Sequence, residues 1–126
     1  MNDIASRVMS GAELKVQLTG LGLTTTWLAD QLHITTRTVI RWCELDAVPA
    51  RAVAKIDQVS SLTSEEMNRI YYAMRTDGVV RTQRTDQDAG SVQKSNHLPA
   101  SWHRALTYRV LQHVRSQGSD PSVSYV

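Results

Sequence analysis

Between Thr24 and Leu45 the chain reads TTTWLADQLHITTRTVIRWCEL, and no other stretch constrains the fold as tightly. It holds two short apolar stripes too close together for anything but two helices joined at a sharp corner. In the first, Leu28, Ala29 and Leu32 fall at i, i+1 and i+4 and share one face, with Asp30 and Gln31 turned away. Ala29 is small, which a steeply crossing second helix needs if it is to approach closely. Ile34 plugs the corner, Thr35 is placed to cap the second helix, and Val39, Trp42 and Cys43 form that helix's buried side. Left outside are Thr36, Arg37, Ile40, Arg41 and Glu44. This is the pattern of a helix-turn-helix.

A short helix that turns two arginines, a threonine and an isoleucine outward is oddly dressed for solvation alone. It suits a major groove: arginine bonds a guanine edge in two places or holds a phosphate, and an outward isoleucine can meet a thymine methyl. The plain alternative is a solvated face on one of many two-helix bundles. That accounts for Arg37 and Arg41, four residues apart, but not for the agreement of the apolar, small and polar positions with a single geometry.

The stretch TTTWLADQLHITTRTVIRWCELDAVP resembles the Cro/repressor-type (XRE) helix-turn-helix proteins, in which an LA pair, an apolar turn residue, V-x-x-W and a later proline recur at these spacings. The resemblance implies that Thr25, at the start of the first helix, touches phosphate. It implies too that Thr36, Arg37, Ile40 and Arg41 face bases or backbone; Thr35 and Thr38 complete the DNA-facing candidates. Two departures stand out. His33 occupies a turn position where the family often has glycine, so it must accept a positive φ. Cys43 and Leu45 replace the more usual acidic residue and glycine after the tryptophan.

The 126 residues suit one compact domain, or one small domain with an appendage, and contain no apolar run long enough to span a membrane. MNDIASRVMS lacks a positive start followed by an apolar core, so a cytoplasmic protein is expected. The single cysteine permits no internal disulfide and no zinc cluster, and its spacing makes Cys43 a small core residue. His33, His97, His103 and His113 are scattered, so neither metal nor cofactor is expected. Lys and Arg exceed Asp and Glu by only two, and residues 1–60 hold six of each sign. A positive footprint would have to come from placing Arg37, Arg41, Arg51 and Lys55 on one surface.

Ser10 and Glu13 make a capping box for a first helix carrying Leu14, Leu18 and Leu21, ended around Gly20-Leu21-Gly22. DAVPARAVAKIDQV supplies a helix opening near Pro49, with Ala52, Val53, Ile56 and Val59 inward. Leu14, Leu18, Leu28, Leu32, Val39, Trp42, Val53 and Ile56 are the expected core. Thr63 and Glu66 read as a second capping box for a separate helix, with Met67, Ile70, Tyr71 and Met74 on one face until Gly78. GVVRTQRTD is a single strand in need of a partner, and residues 84–98 a polar loop with a weak helix after Thr85. In LPASWHRALTYRVLQHVRSQG, Ser101 is the cap and Trp102, Ala105, Leu106, Val110 and Val114 the stripe; the tail SDPSVSYV reads as frayed. The whole is mainly α: a helix-turn-helix bundle of four to five helices over residues 1–62, and a small α region with a short strand, expected to dimerise, over 63–126.

DGVVRTQRTDQDAG and LPASWHRAL also resemble the C-terminal part of a group of small XRE-like regulators that includes the anti-CRISPR-associated autoregulators. The resemblance then covers residues 10–117 and implies that a strand and helices after the DNA-binding unit dimerise it. An enzyme is the competing class, with Cys43, Ser101 and His103 as its candidates, but Ser101 reads as a cap and His103 as lying on the polar side of its helix. The expectation is a non-enzymatic, dimeric repressor or autoregulator binding double-stranded DNA at an inverted repeat. The runner-up is an antitoxin-like module that binds its own promoter and covers a toxin with its second half.

Overall fold

In the computed structural model residues 8–126 are described, so most of the MNDIASRVMS stretch lies outside the described residues. Ser10, in extended backbone, accepts a hydrogen bond from the Glu13 amide and starts α1 (Gly11–Gly20). After Gly22, whose φ is +71°, Thr24 caps α2 (Thr25–Leu32) through the Trp27 amide. Thr35 caps α3 (Thr36–Trp42) through the Thr38 amide. Pro49 precedes α4 (Ala50–Asp77), a helix of 28 residues. Then follow β1 (Val79–Thr82), a 3₁₀ turn at Asp86–Asp88, α5 (Ser91–Ser95), α6 (Ala100–Ser116) and β2 (Ser122–Tyr125). The chain is thus mainly helical, with a small two-stranded parallel sheet.

Two compact units divide the chain after Ser61. The first closes around Met9, Leu14, Leu18, Leu28, Ala29, Val39, Ala52, Ile56 and Val59, all almost fully buried. Leu32, expected in this core, is only half-buried, because α2 ends there and the chain turns away at His33. Cys43 is likewise half-buried: α3 stops at Trp42, and Cys43 caps it instead of continuing its apolar side. What fixes α3 against α1 is a backbone contact with no signature in the apolar pattern. A Cβ on Gly11 would lie 2.3 Å from the Trp42 carbonyl oxygen and 2.3 Å from the Cys43 carbonyl carbon. The Gly11 amide donates to the Leu45 carbonyl at 2.8 Å, and the Val48 amide to the Met9 carbonyl at 2.8 Å.

The second unit, Leu62–Val126, departs from the sequence reading in four places. No helix begins at Thr63: α4 runs on, since nothing between Val59 and Glu66 is a glycine or proline to stop it. The Thr63 hydroxyl instead accepts the indole N–H of Trp102 at 2.9 Å in the interior. Ser101 is not the cap of α6 either. That helix opens after Pro99, and the Asp86 carboxylate takes the Ala100 amide at 2.8 Å. The tail is not frayed: β2 pairs in parallel with β1, Val79 beside Ser122 through Thr82 beside Tyr125. Parallel neighbours require a crossover, and the segment containing α5 and α6 supplies it, α6 packing on β1. Fourth, His103 is 2 % exposed, on the buried side of α6.

Gly11→Ala sets two effects against each other. Helix propensity alone would stabilise by up to about 1 kcal/mol, whereas forcing a methyl into the backbone of α3 costs about 1–3 kcal/mol. The expected outcome is net destabilisation, seen as a lower urea midpoint at unchanged slope. A midpoint raised above wild type would show that α1 and α3 do not approach as described.

Candidate functional site

Within the first unit, α2 and α3 pack together around a three-residue corner. His33 takes φ 57° and ψ 45°, the left-handed conformation that the missing glycine would have supplied without strain. The Ile34 amide reaches back to the Ala29 carbonyl at 3.0 Å and Ile34 is half-buried, which closes the corner. Val39 and Trp42 then take the inner side of α3, and Arg37, Ile40 and Arg41 are left exposed, Ile40 by 50 %.

The threonines divide by role. Thr35 and Thr38 hydroxyls lie 3.0 Å apart while Thr35 accepts the Thr38 amide, so both serve the cap. Thr36, half-buried, donates to the Thr26 hydroxyl across the corner at 3.4 Å. Thr25 is half-buried beside Ala12, Lys15, Ile40, Cys43 and Glu44, which line one shallow hollow, so residues of α1, α2 and α3 share a surface there. Lys15 is the member of that surface that sequence reasoning passed over; its exposed place on α1, one residue after Leu14, was the available signal. Neither Arg37 nor Arg41 has an ion-pair partner among the described residues. The two other basic candidates are held by aromatic faces: the Arg51 guanidinium lies 5.3 Å from the Trp42 ring centroid and the Lys55 ammonium 5.8 Å from that of Trp27. Burial pushes the Cys43 thiol up, with Glu44 adding and Lys15 opposing, which leaves it a poor nucleophile.

The second unit contains the one constellation that looks like chemistry. His103 Nε2 lies 2.7 Å from Glu66 Oε2, and its Nδ1 lies 3.2 Å and 3.3 Å from the hydroxyls of Thr82 and Thr107. Thr107 gives its own proton to the His103 carbonyl at 2.7 Å, and both ring nitrogens of His103 face polar side chains, Nε2 the Glu66 carboxylate and Nδ1 the two hydroxyls. Arg69 holds the same carboxylate in a two-point contact at 2.8 and 2.6 Å. Each polar group is thus matched, and the ring is sealed from solvent, which fits a buried structural network. Beside it Gln83 and Gln93 exchange amide hydrogen bonds at 2.6 and 2.8 Å.

Among the described residues no group of three potential ligands is placed to hold a metal ion, and no helix is long and apolar enough to cross a membrane. No protein-family model matches the chain, and no curated protein matches it.

Burial works to raise the Glu66 carboxyl, but the hydrogen bonds from Arg69 and His103 outweigh it and hold it at about 2, below its ordinary 4.5. A carboxyl depressed in the folded state stabilises above its unfolded value and loses that contribution as pH falls through the folded one. Stability of the wild type should therefore decline between pH 4.5 and about 2. In Glu66→Gln the decline over that window should be shallower, at the cost of lower stability at neutral pH. Equal slopes for the two proteins in urea titrations across that range would contradict the assignment.

Proposed function

We propose that the chain is a sequence-specific double-stranded DNA-binding regulator, in which α2 and α3 form a helix-turn-helix and α3 enters the major groove. One observation carries this reading: α3 buries Val39 and Trp42 and leaves Ile40 outward between Arg37 and Arg41, both exposed and without an ion-pair partner among the described residues. Two cations flanking an apolar residue offer what base edges and phosphates recognise. Lys15, Arg51 and Lys55 are the backbone-contacting candidates, and Thr25 on α2 lines the same hollow as Lys15 and Ile40.

The first unit has no net basic excess, since residues 1–60 carry six basic and six acidic side chains. Such a unit makes few phosphate contacts, and one copy alone holds DNA weakly. Two copies tied together convert the second docking into an intramolecular event, which supports a dimer acting on an inverted repeat as a repressor or autoregulator. The seclusion of His103 and the raised thiol of Cys43 favour a binding protein over an enzyme.

Arg37→Ala and Arg41→Ala are expected to weaken specific binding by about 1–3 kcal/mol each if they contact base edges, with thermal stability unchanged because both lie outside the core. Ile40→Ala should relax preference at a single base position and leave affinity for other sequences alone. Titration of fluorescent duplexes at fixed salt reads both effects. If all three variants bind a selected operator like wild type, α3 is not the reading helix.

A further inference from the structure

β2 is a short edge strand, four residues long, whose side chains add no further protection. Natural edges are blunted by charge, proline within the strand, or a bulge, yet Ser122–Tyr125 carries no charge and no proline. The sheet it closes has only two parallel strands, an arrangement normally covered on both faces. The register makes the exposure specific. Val123 stands beside Val80 and Tyr125 beside Thr82, so these side chains extend the row that β1 buries. They nevertheless remain 48 % and 49 % exposed. The Arg84 guanidinium, 4.5 Å from the Tyr125 ring centroid, holds that ring on this face.

The backbone says which groups are offered. The Ser122 amide donates to the Gly78 carbonyl at 3.1 Å and the Val126 amide to the Thr82 carbonyl at 2.9 Å, so these residues face β1. By the period of two, the N–H and C=O of Val123 and Tyr125 point to the open edge.

We propose that this edge pairs with β2 of a second copy of the chain, antiparallel about Ser124. A two-fold axis there sets Val123 opposite the partner's Tyr125, and Tyr125 opposite the partner's Val123. Both pairs exchange N–H···O=C bonds, and Ser124 meets its own copy at the closer, non-hydrogen-bonded position. The strand suits itself as a partner: two aromatic–β-branched pairs form on one face, and no charge meets its like. Opposed residues point to the same side of a sheet, so both α6 helices lie on one face of the resulting four strands, flanking the Val–Tyr row. The inference rests on the dimer reading and names its interface.

The test uses the full chain. Val123→Pro removes an N–H that β1 does not use, a substitution an edge strand tolerates, and costs the pair one hydrogen bond from each copy. Sedimentation equilibrium should show a dimer dissociation constant raised about tenfold or more, with near-ultraviolet dichroism of the tryptophans unchanged. Independently of that variant's fold, Ser124→Cys should oxidise quickly to a disulfide-linked dimer, because its Cα falls about 4.5 Å from its copy. Ser122→Cys, about 13 Å from its copy in this register, should cross-link no faster than wild type with Cys43 alone. If wild type dimerises but Val123→Pro matches it and Ser124→Cys gains no cross-link, this interface is overturned while the dimer reading stands. Wild type that stays monomeric both free and on an operator duplex overturns both.

Discussion

The inward pull on Val39 and Trp42 is what the proposed reading surface depends on. Two large apolar side chains three residues apart can be buried only by turning one side of α3 to the core. Arg37, Ile40 and Arg41 then have no choice but the other side. The orientation is sharpened at both ends of the helix. Thr35 fixes where it starts, and the bare backbone of Gly11 lets α1 press on the carbonyls of Trp42 and Cys43 where it stops. A helix of seven residues has little stability of its own, so these contacts hold it in register.

Much of the first unit was legible because its signals are local. Ser10 and Thr35 cap, Ala29 allows close packing, and His33 stands at a turn; each of these acts within a few residues of itself. The Gly11 contact was not legible, since it joins positions about thirty residues apart and leaves no periodicity. The second unit was read less well for the same reason. Thr63 and Glu66 have the spacing of a capping box, but their side chains answer to Trp102 and His103 instead. A histidine read as lying on the polar side of α6 is sealed inside, because Glu66, Thr82 and Thr107 supply every partner it needs. The alternation in SVSY was a strand signal too short to recognise without β1, which lies some forty residues earlier.

Charge and architecture bear on each other. With acidic and basic side chains balanced in residues 1–60, the first unit gains little from long-range attraction and depends on placement. Arg51 over Trp42 and Lys55 over Trp27 are placed in that sense: aromatic faces restrict where each cation sits, so less order would be lost on meeting a phosphate in the proposed complex. The second unit would then contribute through valency, doubling a modest contact set.

Selection of binding sites from random duplexes tests the central claim most directly, because it reports sequence, symmetry and spacing together. The account predicts enrichment of an inverted repeat whose half-site centres lie about 10 base pairs apart or a multiple of that, with guanines and thymines at the positions facing α3. Recovery of no enriched sequence, at salt low enough for the protein to bind duplex at all, would contradict it.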